Sequence, residues 1–219
     1  MPSVIFEFDA KREYEYIKFF EENFGEVELP KQLRKIWSDK KKSISYIEKA
    51  YNLKKKGLFE KSWRKIEKDY FRLVEEITGH RWSHKTYRVI LTKYMYGFCN
   101  PLDVDAKEVT CRQYMPAIER NYIVAHELLH SHYFGIVAKK KDVRLFSTEL
   151  NENFNVLALC FSDIRGLLVK PKDEWIIRGW VNSNQKAAKY FDALLPLWEG
   201  RKSFEDYLKK SKTVLKERI

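Results

Sequence analysis

The chain has 219 residues, 44% of them hydrophobic and 15% aromatic, and a formal net charge of +11. That apolar share can bury a sizeable core, which excludes a disordered chain, and the length suits one domain. No run of about 18 apolar residues occurs, so no membrane-spanning helix is expected, and the opening "MPSVIFEFDAKREYEY" lacks the basic-then-apolar pattern of a secretory signal.

"VIFEFD" at Val4–Asp9 alternates weakly and fits a short strand or the lead into a helix over "AKREYEYIKFFEENFG", which Gly25 stops. After Pro30, "LPKQLRKIWSDKKKSISYIEKAYNLKKK" reads as helix in two pieces. In "LFEKSWRKIEKDYFRLVEEITGH", Phe59, Trp63, Ile66, Tyr70, Leu73 and Ile77 recur at three- and four-residue spacing. That spacing predicts one amphipathic helix ending at Gly79.

The character changes after His84. "TYRVILTKYMYGFCN" is rich in β-branched and aromatic residues and predicts a strand, with Asn100-Pro101 as its stop. "EVTCRQYM" at Glu108–Met115 predicts a second. Pro116 fits the first turn of a helix over "AIERNYIVAHELLHSHYFG", expected to end near Gly135 before a basic loop, "KKKD". "STELNENFNVLALCFSDI" predicts a helix capped by Ser147 or Thr148. Its second half is apolar all round and should be buried.

"PKDEWIIRGWVNSNQ" reads as a loop around one short helix, and "KAAKYFDALLPLWEG" and "SFEDYLKKSKTVLKERI" as closing helices. Helices, then strands, then helices argue an α+β fold. The expected organisation is a single domain over residues 1–219. It comprises a helical part over 1–80, a core over 85–165 with a small mixed or antiparallel sheet, and C-terminal helices over 170–219.

Lysine triplets stand at Lys40–Lys42, Lys54–Lys56 and Lys139–Lys141, but the basic residues are dispersed and interleaved with Glu. A solvated surface accounts for that pattern better than a nucleic-acid footprint does. The helix "KSWRKIEKDYFR" carries aromatic and basic residues together, yet its Trp63 lies on the apolar stripe. Cys99, Cys111 and Cys160 are widely spaced and form no CxxC. They read as buried free thiols in a reducing, cytoplasmic setting.

The chemistry concentrates in "IVAHELLHSHYF", Ile123 to Phe134, which holds three of the five histidines. His126-Glu127-Leu128-Leu129-His130 is an H-E-x-x-H sequence. On a helix, positions i and i+4 share one face, so both imidazoles reach one metal ion. Glu127 points to the side of that face, where it can hold and deprotonate a metal-bound water. Three protein ligands and a water make an open tetrahedral zinc site. His132 lies roughly 160° around the helix from the ligand face when turned back from His130, and reads as a structural histidine.

No histidine follows His132, and Tyr133 and Ile136 occupy the glycine and third-histidine positions of the longer H-E-x-x-H-x-x-G-x-x-H pattern. That excludes the metzincins. The segment from Lys107 to Ile164 resembles the gluzincins, the group of thermolysin and the zinc aminopeptidases, in which a Glu on the next helix completes the site. The resemblance implies a zincin-like domain and a zinc metallopeptidase with a peptide or protein substrate. Two glutamates compete as its third ligand. Glu149 lies nineteen positions after His130, as in the aminopeptidase type, and has Asn153 four residues on. In the family an Asn at that offset orients a ligand histidine. Glu152, in "LNENF", is the alternative; its i+4 neighbour is Val156. Spacing favours Glu149.

The resemblance also implies an edge strand that pairs with extended substrate, for which "EVTCRQYM" and "YRVILTKY" are the candidates, and a donor to the oxyanion. Tyr122, His132, Tyr133, Arg165, Arg178 and Tyr190 are candidates for that donor. The stretch that grips a free amine in the aminopeptidases is absent upstream of the motif. The alternatives are a regulatory, non-proteolytic zincin-like protein and a basic nucleic-acid-binding protein with a structural zinc.

Overall fold

In the computed structural model, residues 1–95, 97–99, 107–140, 143–168 and 173–216 are described. The expected Asn100-Pro101 stop and the Lys141-Asp142 end of the basic loop lie outside them.

Strand β1 (Ser3–Glu7) opens the chain and is followed by helix α1 (Ala10–Asn23). Asp9 caps α1 by accepting from the amide of Arg12 at 2.9 Å. Helices α2 (Lys31–Lys35), α3 (Lys40–Lys49), α4 (Leu53–Trp63) and α5 (Glu67–Thr78) follow. The single amphipathic helix expected here is therefore two. A turn at 64–66 separates them while Phe59, Trp63, Tyr70 and Leu73 stay in one core. Gly79 closes α5 with a φ of 69°, a conformation that suits glycine.

Strands β2 (Thr86–Thr92), β3 (Phe98–Cys99) and β4 (Glu108–Arg112) come next. The sheet order is β1-β2-β4-β3, with β1, β2 and β4 all parallel. The expectation of a mixed or antiparallel sheet is corrected here. The five helices between β1 and β2 carry the chain back over the sheet, so the next strand enters in the same direction. Antiparallel pairing is confined to two-residue β3, which sequence periodicity is too short to register. The two strands proposed to pair with substrate, β2 and β4, are internal.

Register sorts the faces. Val4 pairs with Tyr87, Phe6 with Val89, Val89 with Val109 and Leu91 with Cys111, and all of these belong to the main core. The other face is polar at its centre. Glu108 accepts from Tyr16 and Arg12 of α1, each at 2.7 Å, and from Arg88 of β2, whose guanidinium also reaches Glu7 at 2.7 Å. The network ties α1 across three strands. A second, smaller core of Tyr14, Ile17, Leu33, Trp37, Ile47 and Met95 joins α1–α3 to the turn after β2. Buried Glu13 fixes that turn by accepting from the amides of Lys93 (2.8 Å) and Tyr94 (2.6 Å) and from the Tyr51 hydroxyl (2.9 Å).

Helix α6 (Ala117–Lys140) runs five residues beyond the expected stop at Gly135. A Cβ at Gly135 would lie 2.5 Å from Ser83 Oγ, so this glycine permits a close approach inside the helix and does not end it. A 3-10 turn (Val143–Phe146) leads to α7 (Thr148–Cys160), capped by Ser147, which accepts from the Leu150 amide at 3.0 Å. Residues 153–160 are buried, as the all-round apolar pattern predicts. A second 3-10 turn (Asp163–Gly166) and helices α8 (Asp173–Ser183), α9 (Gln185–Ala188), α10 (Phe191–Glu199) and α11 (Phe204–Lys216) complete the chain. The architecture is α+β and mostly helical. No described helix is long and apolar enough to cross a membrane.

Candidate metal centre

Helices α6 and α7 carry the site. Ascending residues of one meet descending residues of the other: His126 meets Asn155, His130 meets Glu152, and Tyr133 meets Leu145 just ahead of α7. The helices thus run antiparallel. Tyr70 of α5 clamps α6 from the other side, its hydroxyl donating to the Ala125 carbonyl at 2.7 Å.

One turn apart on α6, His126 and His130 aim their Nε2 atoms at one another, 3.0 Å apart. Glu152 stands over both, with carboxylate oxygens 3.4 Å from His130 Nε2 and 3.7 Å from His126 Nε2. The three are the metal-competent cluster found among the described residues. Ligands held tetrahedrally about 2.1 Å from a zinc ion stand about 3.4 Å from each other. The observed separations bracket that value, so the donor set fits zinc. The chemistry of the donors agrees. Burial, helped by His130, pushes His126 down to about 4, against the pull of Glu152. The ring is therefore neutral at physiological pH, the form that binds metal. Imidazole nitrogens facing each other at 3.0 Å can share only one proton between them, whereas a central cation meets both nitrogens and the carboxylate together.

Glu127 is buried beside this cluster. Burial raises its carboxyl well above the ordinary value, and the nearby Glu152 adds to the rise. Its Oε1 lies against Gly97, where a Cβ would come within 2.3 Å. Of the six candidate oxyanion donors, Tyr122 is the one placed at the cluster, its ring near parallel to that of His126 with centroids 6.2 Å apart. Burial, Cys160, Glu152 and Glu127 all hold its phenol protonated. His132 is buried elsewhere, with Nε2 3.0 Å from Thr78 Oγ1 and its ring 4.3 Å from that of Trp82. The Tyr133 hydroxyl donates to the Leu145 carbonyl, Tyr190 is in the core, and Arg165 and Arg178 are exposed.

Two expectations are corrected. Glu149, favoured by spacing, is outside the cluster. It sits in the first turn of α7, accepts from Ser147 Oγ at 3.1 Å, and faces a surface pocket shared with Asn182, Asn184 and Lys186. Glu152, one turn further along α7, is the glutamate that meets both rings. Asn153 does not orient a ligand ring. Its Nδ2 donates to the carbonyls of Glu149 (2.7 Å) and Ala187 (2.8 Å), which joins α7 to α9. Asn155, which sequence reasoning passed over, donates to the backbone carbonyl of His126 at 3.2 Å and fixes α7 against the ligand turn. Its signal was present as three asparagines alternating through a buried helix.

No family model, no curated protein and no solved structure matches this chain.

Proposed function

We propose that this chain is a zinc-dependent metallopeptidase, with His126, His130 and Glu152 as metal ligands and Glu127 as general base. The observation that carries the reading is the convergence of two imidazole nitrogens and a carboxylate at tetrahedral spacing, next to a second buried carboxylate. The resemblance of the motif to gluzincins supplies the substrate class.

His126, His130 and Glu152 would hold the zinc ion, which would supply Lewis acidity toward the scissile carbonyl and the attacking water. Glu127 takes the proton from the attacking water and returns it to the leaving amine. Tyr122, whose ring stands against that of His126, is the residue we assign to donate to the oxyanion. A structural zinc in a nucleic-acid-binding protein takes four protein ligands, and the cluster offers three among the described residues.

The test is zinc-loaded protein incubated with a peptide mixture, with cleavage read by mass spectrometry. Glu127→Gln should retain zinc and lose hydrolysis by about a hundredfold or more. A Glu127→Gln protein that cleaves like wild type would exclude Glu127 as the base.

A further inference from the structure

The two oxygens of Glu152 have different partners. Oε1 lies 3.4 Å from His130 Nε2. Oε2, 3.7 Å from His126 Nε2, accepts from the indole Nε1–H of Trp180 at 3.4 Å. Among the described residues this is the one hydrogen bond donated to the carboxylate from outside the two rings. The donor belongs to neither helix of the cluster. Trp180 stands in α8, and it is buried while its neighbours Gly179 and Val181 are exposed. Its ring packs against Phe191 of α10, with centroids 5.8 Å apart, and Phe191 packs at the same separation against Phe161, which closes α7. This row of rings returns to the helix that carries Glu152, so the indole is clamped with its N–H on the carboxylate.

We infer, on the strength of the zinc site proposed above, that Trp180 is a positioning residue for that site: it holds Oε2 of Glu152 so that the carboxylate meets the metal through Oε1 alone. A zinc site open to water has three protein donor atoms and one free position. A carboxylate engaged through both oxygens would fill that position, so occupying Oε2 keeps the site open. The chemistry of the indole suits this task. It is a donor only and carries no charge, so it orients the carboxylate without neutralising it. A Lys or Arg in its place would compete with the metal for the same negative charge. The hydrogen bond also restrains a long, flexible side chain before the metal arrives, and a ligand held in place by an outer partner binds metal more tightly.

The experiment loads the protein with saturating cobalt(II) in place of zinc and reads its visible absorption, which is intense for four-coordinate cobalt and weakens when a fifth donor joins. Wild type should show the four-coordinate intensity. Trp180→Phe keeps a ring against Phe191 and removes the N–H. Its cobalt bands should weaken to the five-coordinate level, and its zinc affinity should fall by about tenfold to a hundredfold. Replacement of Trp180 by 3-benzothienylalanine exchanges the N–H for sulfur at nearly constant shape. It should do the same, and it keeps the test decisive if the Phe variant does not fold. Trp198→Phe controls for a merely structural loss. The Trp198 Nε1 donates to the Phe161 carbonyl at 3.1 Å and to no member of the cluster, so its removal should leave the cobalt bands and zinc affinity unchanged. Five-coordinate bands in wild type, bands that neither Trp180 substitution alters, or bands that Trp198→Phe alters equally overturn the inference and leave the zinc site standing. No uptake of cobalt or zinc by wild type overturns both.

Discussion

Gly97 approaches Glu127 so closely that a Cβ added to it would lie 2.3 Å from Oε1 and 3.0 Å from both Cδ and Ile123 Cγ2. Gly97 is not among the positive-φ glycines of the described residues, so the demand for glycine there is one of space. Gly97→Ala should displace the Glu127 carboxylate while leaving His126, His130 and Glu152 in place. The expected outcome is unchanged zinc content and a fall in peptide hydrolysis of about a hundredfold, the scale on which a misplaced reacting group acts. Full activity in Gly97→Ala would show that the contact has no part in setting the base.

Upstream of Gly97 the chain is held by Glu13, whose carboxylate accepts from two successive amides and a tyrosine hydroxyl in a buried setting. Glu13→Ala leaves those donors without an acceptor, and each buried orphan costs about 1–3 kcal/mol. Equilibrium urea unfolding should therefore show a loss of about 3 kcal/mol or more, with an accompanying fall in hydrolysis as the turn carrying Gly97 loosens. A variant as stable as wild type would mean that water replaces the carboxylate.

A zinc ion bound by the folded chain and not by the unfolded one stabilises by mass action. At free zinc one hundred times the dissociation constant the gain is about 2.7 kcal/mol. For a chain of this size each kcal/mol moves the melting temperature by about 2–4 °C. Chelation should therefore lower it by about 5–10 °C, read by calorimetry with and without a chelator, and restoring zinc should reverse the change. A melting curve indifferent to chelator would mean that no metal is held by the folded state.

Where local chemistry decided structure, the sequence was readable. His126 and His130 announce a shared face because they stand one turn apart in an apolar helix, and their Nε2 atoms do meet there, 3.0 Å apart. Ser147 announces a cap, and the apolar second half of α7 announces burial. What stayed hidden depended on contacts between distant segments. Gly135 resembles a helix stop until Ser83 is seen lying against it. Spacing chose Glu149 because nineteen residues separate it from His130, as in the resembling family, and because Asn153 follows it by four; the fold brings Glu152 beside the two rings instead. The break at 64–66 was invisible because the apolar stripe continues across it. β3 was invisible because two residues have no period. The parallel pairing of β1 with β2 is a property of the crossover through five helices and not of either strand's own residues.

The proposed zinc site is completed by Glu152 and not by Glu149. Zinc titration of wild type, Glu152→Ala and Glu149→Ala, followed by isothermal calorimetry, separates the two. One zinc per wild-type chain is expected, with an affinity that Glu149→Ala changes by no more than about twofold and Glu152→Ala lowers by more than about tenfold, at least the scale on which lesser, outer-shell partners act. Equal affinity in the two variants, or no zinc bound by wild type, would contradict it.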